Sequence, residues 1–194
     1  MSTNDFSTIK NLLTIFVCAS ASATINLSIP MKHILNSLGI FGPAGGMTLF
    51  GGFIFVLWVT LAHLTTGCKK LSGVSTAILI PAFCMLVSPW YGVVDPPWFG
   101  IYGIIAFLIM GLMVEFSCKS KLSFARLGIG GGLANLLCLT VTWLAIGFHS
   151  HVWPLARFLP LYLAIAFMSG AVGAVIALVL TQRKKHETSC KLFP

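Results

Sequence analysis

Six stretches of this chain are each long and apolar enough to cross a lipid bilayer, and nothing else in the sequence restricts the fold as much. They cover residues 11–29, 44–66, 72–90, 99–117, 124–148 and 155–181. A hydrocarbon core of about 30 Å takes roughly 20 residues of helix at about 1.5 Å each. Inside that core no water satisfies backbone N–H and C=O groups, so only helices or closed barrels span it. The runs are continuous rather than alternating, which disfavours a barrel. The expected fold is all-α and integral to the membrane, a six-transmembrane-helix bundle forming a single membrane domain over 1–194. The linkers are too short to hold a soluble domain. Composition agrees, with 57% of the chain hydrophobic and 8% charged. Soluble domains carry about 25% charged residues, and disordered chains need low hydrophobicity. The first ten residues, MSTNDFSTIK, are polar, and no convincing small-residue cleavage site follows, so no cleavable signal peptide is expected.

The charge pattern orients the bundle. Twelve Lys/Arg stand against four Asp/Glu, a net charge of +8. In a membrane protein such an excess marks cytoplasmic segments rather than a nucleic-acid surface. Six spans put both termini on one side. With the termini cytoplasmic, the inner segments hold Lys10, Lys69, Lys70, Lys119, Lys121, Arg126, Arg183, Lys184, Lys185 and Lys191. The outer segments hold only Lys32 and Arg157. A multi-pass protein of the cell membrane, N-in and C-in, is the expectation. The outer connections, 30–43, 91–98 and 149–154, are rich in proline and rimmed by Trp90, Trp98 and Trp153, the aromatic belt of a membrane interface.

Small residues predict how the helices meet. Ala19 and Ala23, Gly128 and Gly132, and Gly170 and Ala174 are each four apart, a spacing that lets helices approach closely in lipid. Pro81 predicts a kink in the third span. The segment 42–52, GPAGGMTLFGG, predicts either a re-entrant loop or a loosely wound beginning of the second span. No strong internal repeat supports an inverted-repeat transporter.

Few residues can carry chemistry. Glu115 lies near the inner end of the fourth span, read as a rim carboxylate paired with Lys119 or Lys121, or as a contact to a partner subunit. His63 is read as an inner rim residue. Asn26 and Asn135 are the deeper polar groups, with Thr142 two turns beyond Asn135 on the same face, and must bond to neighbouring helices or line a polar cavity. The outer side is richer: Lys32, His33, Trp90, Tyr91, Asp95, Trp98, His149, His151, Trp153 and Arg157 supply aromatic rings with a few polar groups, suited to a small heteroaromatic ligand or to an ordinary interfacial belt. His149-x-His151 with His33 and Asp95 is a weak outward metal pattern. A haem is disfavoured because His63 and His149 fall about 25–30 Å apart across the membrane. None of the six cysteines forms CxxC or zinc-ligand spacing, so neither a disulfide nor a cysteine metal site is expected. The chain lacks paired intramembrane carboxylates, a GxxxxGK[ST] loop and mid-membrane acids. No catalytic residue and no cofactor is expected.

That combination, an outward aromatic pocket with no engine, resembles the substrate-binding S component of energy-coupling factor (ECF) vitamin transporters. Ala19-x-x-x-Ala23 is similar to the alanine motif by which that family docks on its transmembrane coupling subunit. Gly42-Pro43 through the second span, the Gly67-to-Gly73 basic turn, Gly111-Leu112-Met113-Val114-Glu115 and Ser169-Gly170-Ala171 resemble the hydroxymethylpyrimidine/thiamine branch. The resemblance implies a binding subunit rather than an enzyme. It would capture a vitamin or precursor at the outer face, then topple in the membrane with a coupling subunit and two cytoplasmic ATPases. It makes Ala19 and Ala23 partner-docking residues and Lys32 and His33 part of a lid. Asn26, Trp90, Tyr91, Asn135, Trp143, His149 and Arg157 become the substrate pocket, with Arg157 facing a phosphate or carboxylate. The alternatives are a self-sufficient small carrier or channel, and a membrane enzyme or its accessory subunit tested best at Glu115.

Overall fold

The computed structural model describes the backbone of residues 3–29, 34, 37, 44–91, 97–119 and 123–190, and side chains within 8–29, 34, 37, 44–87, 100–119 and 123–183. Every regular element among the described residues is helical. We name them α1 (Thr3–Ser28), α2 (Gly45–Thr65), α3 (Ser72–Tyr91), α4 (Pro97–Cys118), α5 (Phe124–Ser150) and α6 (Leu159–Cys190), the last preceded by a 3-10 turn, Ala156–Phe158. Five stretches are long and apolar enough to cross a membrane: Thr8–Ser28, Gly45–Thr65, Gly100–Cys118, Phe124–Ser150 and Ala156–Arg183. A shorter apolar stretch, Ser72–Val87, lies in α3. The helices expose Leu12, Phe16, Phe53, Ile101, Leu112, Phe148 and Val172, the surface that lipid requires and water would penalise.

Successive helices run in opposite directions, so the bundle has two chemically distinct ends. At one end Thr14 and Cys18 of α1 share a groove with Leu61 and Thr65 of α2 and Leu180 and Thr181 of α6. Cys118 of α4 lies beside Cys68 of the α2–α3 turn. Lys10, Lys69, Lys70, Lys119, Arg126 and Arg183 belong to this end. At the other end Asn26 of α1 meets Cys84 of α3, and Tyr102 of α4 meets His149 of α5. Arg157 is the basic residue there among the described side chains.

The described part of segment 42–52 is neither a re-entrant loop nor loosely wound: Gly45–Gly51 is ordinary α-helix, and the wider winding lies just beyond it. Helix begins at Gly45, and Gly52–Val56 is π-helical, with the Leu57 N–H reaching back to the Gly52 carbonyl. A π turn leaves backbone groups without their ordinary partners. Neighbouring helices supply them. Ser22 of α1 donates to the Ile54 carbonyl at 2.6 Å. Ser169 of α6 donates to the Leu49 carbonyl at 2.8 Å and accepts from the Gly52 N–H at 3.0 Å. In hydrocarbon each unsatisfied group costs several kcal/mol, so these two serines make the π stretch tenable.

Glycine lets the helices come this close. A Cβ on Gly52 would overlap the Ser169 backbone, and one on Gly173 would overlap the Gly52 backbone. Between α5 and α6, the pair Gly131 and Gly170 lies backbone to backbone. The expected Gly128–Gly132 pair is therefore not the contact stripe. Gly128 has only ordinary contact with Val175, while Gly132 lies against the Phe167 ring. Pro81 is buried inside α3, which continues helical through it.

Among the described residues Glu115 makes no ion pair with Lys119, and Lys121 lies outside them; Glu115 bonds to backbone amides. Its Oε1 accepts the Gly73 and Val74 N–H groups at 3.0 and 3.1 Å, the first amides of α3. A carboxylate there satisfies orphan donors and complements the positive end of the helix dipole. It joins α4 to the beginning of α3. His63 stands in the last turn of α2, at the end of the span as expected, but it is buried there: it is 2% exposed, and its Nδ1 lies 2.7 Å from Ser72 Oγ.

Two outcomes follow for thermal unfolding in detergent. Gly131→Ala lowers stability by about 1–3 kcal/mol through overpacking, whereas Gly128→Ala leaves it unchanged or slightly higher. Glu115→Ala costs about 1 kcal/mol through loss of the α3 cap, and Glu115→Gln recovers part of that.

Candidate functional site

One set of polar and aromatic groups at the lysine-poor end lies in a seam between α2, α5 and α6. The deepest is Asn135 on α5, completely buried. Its Nδ2 donates to the Ala166 carbonyl of α6 at 2.7 Å. Its Oδ1 has no hydrogen-bond partner and lies against Gly51, where a Cβ would strike it. This acceptor, which with Trp58 Nε1 and Thr60 Oγ1 is without a partner among the described buried side chains, faces the backbone immediately before the π stretch. One helical turn along α5 from Asn135 is Leu139, and another turn on is Trp143. These pack with Tyr162 and Ala166 of α6 into a second apolar cluster, separate from the main core. Trp143 and Tyr162 are nearly buried, their ring centroids 6.4 Å apart. Phe158 continues the layer outward, 6.1 Å from Tyr162. From α2, Ala44 and Met47 close the third side, and Thr142 Oγ1 lies 3.7 Å from the Met47 sulfur.

The sequence-based site residues divide into three groups. Asn135 and Trp143 lie together in this seam. Arg157 stands at its mouth, exposed, with its guanidinium 4.6 Å from the Phe158 ring centroid. That geometry is a cation–π contact, and it leaves the hydrogen-bonding edge of the guanidinium for a ligand anion. Asn26 and His149 lie elsewhere at the same end. Asn26 Nδ2 donates to Cys84 Sγ at 3.6 Å, bridging α1 to α3. The exposed His149 pairs with Tyr102, with Nε2 and the phenol oxygen 3.1 Å apart. Lys32, His33 and Asp95, and the side chains of Trp90, Tyr91 and Trp98, lie outside the described residues.

The alanine pair faces into the bundle, with Ala19 0% and Ala23 3% exposed, whereas the docking role that the resemblance implies would use an outward face. Ala19 belongs to the main core, and Ser22 beside it holds the π stretch. The outward face of this part of α1 is instead Leu12, Leu13, Phe16 and Val17.

Sequence reasoning missed Tyr162, Met47 and Tyr102. A tyrosine within an apolar span was the available signal, since a buried phenol needs a partner for its hydroxyl. Met47 carries no such signal; only the fold brings it to Thr142. The chain matches no protein family, no curated protein and no solved structure.

Asn135 is expected to contribute little to stability. Asn135→Ala removes one bond and one unsatisfied acceptor together, and interhelical bonds in membranes average about 0.6 kcal/mol. Unfolding in detergent should shift by less than about 1.7 kcal/mol, the largest value measured for such bonds.

Proposed function

We propose that this chain is the substrate-binding subunit of an ECF-type uptake transporter, capturing a small heteroaromatic vitamin or precursor at its lysine-poor end. The observation that carries the reading is the unpartnered Oδ1 of Asn135 beneath the Trp143–Tyr162 layer. A buried acceptor without a donor is costly, and native proteins keep such groups where a ligand or water completes them. Aromatic walls, one buried amide and a cationic mouth at Arg157 suit a flat ring bearing an N–H donor and a phosphate or carboxylate tail.

On this reading α3 crosses the bilayer with the other five helices. The lysine-rich end then faces the cytoplasm, with both termini, because basic residues stay inside. Coupling to cytoplasmic ATPases would occur there. The inward-facing Ala19–Ala23 pair favours a second reading, a self-sufficient small carrier or channel, because it removes the docking motif that the resemblance implied.

Native mass spectrometry of the chain purified in mild detergent separates these. The expected result is one adduct of vitamin-like mass, and quenching of tryptophan fluorescence by a panel of heteroaromatic vitamins. Asn135→Ala should weaken that binding at least tenfold with little change in unfolding temperature. No adduct and no quenching, together with flux in liposomes from the purified chain alone, would replace the binding-subunit reading with the carrier.

A further inference from the structure

Three metal-ligating side chains meet at the lysine-rich end of the bundle, at the opposite end from Trp143. His63 is in the last turn of α2, Cys68 lies in the turn that follows, and Cys118 is the last residue of α4. Their candidate ligand atoms all lie within 4.8 Å of one another. Linear spacing hides this cluster, because it forms only when the end of α4 is brought beside the α2–α3 turn. A cation with metal–sulfur bonds of about 2.3 Å holds its thiolates roughly 3.8–4.0 Å apart. Little movement separates the observed cluster from such a cage.

Each ligand is held in place by something else. Ser72 Oγ has one proton and donates it to the Lys69 carbonyl at 2.7 Å. It therefore accepts from His63 Nδ1, also at 2.7 Å. That fixes His63 as the Nδ1–H tautomer and leaves Nε2 with a bare lone pair, the way ligating histidines are oriented by their second hydrogen bond. Gly67 closes α2 with φ 74, and the Cys68 N–H donates to the His63 carbonyl at 2.8 Å, the long bond of a Schellman cap. Cys68 itself has φ 56. A residue with a Cβ pays about 1–2 kcal/mol there, and Gly or Asn would be cheaper. Cysteine at that position adds a thiol turned back toward the end of its own helix. Cys118 is fixed by α4, one turn after Glu115, whose carboxylate is occupied by α3 amides yet close enough for its charge to act on both His63 and Cys118.

We propose that His63, Cys68 and Cys118 form a binding site for one thiophilic d10 cation, Zn(II) or Cu(I), tying the α2–α3 turn to the end of α4. Two thiolates and an imidazole are soft to borderline ligands and disfavour Mg(II) or Ca(II). Three protein ligands give a trigonal Cu(I) site, or a Zn(II) site whose fourth position takes water or a further ligand. Loading releases the thiol protons.

The test uses the full chain in mild detergent under anaerobic, reducing conditions, titrated with Zn(II) and separately with Cu(I) against chromogenic chelators. Co(II) serves as a spectroscopic probe. One equivalent of Zn(II) or Cu(I) should bind, and Co(II) should give a thiolate-to-metal charge-transfer band. Cys68→Ser and Cys118→Ser should each lose at least 100-fold in affinity and the cobalt band. Ser72→Ala, acting through His63, should lose about 10-fold but keep the band. Cys138→Ala is the control that changes neither. The metal that co-purifies with the chain isolated without added metal identifies the cation, since raw affinity at thiolates favours Cu(I) in any such site. Folding of each variant is checked by size exclusion, and free thiols are counted by alkylation. Affinity unchanged in both folded serine variants would overturn the proposal, as would no stoichiometric binding by wild-type chain with Cys68 and Cys118 both reduced. A Cys68–Cys118 disulfide that survives in protein isolated without reductant, with no metal bound after reduction, would assign the pair to redox chemistry instead.

Discussion

The structure depends on one contact, the place where the backbone of α2 lies directly on the backbone of α6. Gly52 and Gly173 meet there without side chains between them, and Ser169 of α6 reaches across to bond both the Leu49 carbonyl and the Gly52 N–H of α2. In lipid no hydrophobic force draws apolar helices together, so close approach and interhelical hydrogen bonds must supply the attraction. This contact supplies both. It also sets the position of Asn135, because Gly131 and Gly170 bring α5 onto α6 by the same means and leave the Asn135 amide between Ala166 and Gly51.

The class of fold was legible because the bilayer permits so few solutions. Continuous apolar runs and their lengths were enough to place the helices, and α1, α2, α4, α5 and α6 stand where those runs lie. The glycines of 42–52 suggested a loop or a loose winding, but Gly45–Gly51 is regular helix and the π turn follows at Gly52–Val56, where Ser22 and Ser169 of distant helices support it. Contacts between helices were harder. A spacing of four gave Gly128 and Gly132 as a stripe, but the rotation of α5 puts Gly131 on the contact, and sequence alone does not fix that rotation. The same gap explains Ala19 and Ala23, whose spacing is right for a close contact but whose contact is with this bundle.

At the candidate site, Asn135 was legible as a deep amide with Thr142 two turns beyond it, and Trp143 came only from the resemblance. Tyr162 and Met47 were not legible, since their relevance comes from other helices. Glu115 and His63 were recognised at the ends of their spans, Glu115 as a partner for Lys119 or Lys121 or for another subunit and His63 as a rim residue, but their bonds were not legible. Both are joined to the first turn of α3, one to its amides and one to Ser72. The beginning of α3 is thus an anchoring point for the ends of α2 and α4, which is why cysteines from the adjoining turn and from α4 come together beside it.

The π stretch also has a consequence for how this chain tolerates changes of length. An α-helix advances about 100° per residue, and the wide turn at Gly52–Val56 holds one residue more than an ordinary turn would. Thr48 and Gly51 before it, and Val59, Ala62 and His63 after it, are all buried. The wide turn absorbs that residue, so the two halves of α2 keep the phase that a regular helix one residue shorter would give them. Deleting one residue within Gly52–Val56 would restore regular winding and leave Gly51 on Asn135 and His63 beside Ser72. Deleting one from the regular helix on either side would turn one half by about 100° against the other and separate one of these contacts. The π turn is therefore the one place in α2 where a change of length by one residue leaves both ends of the bundle in register.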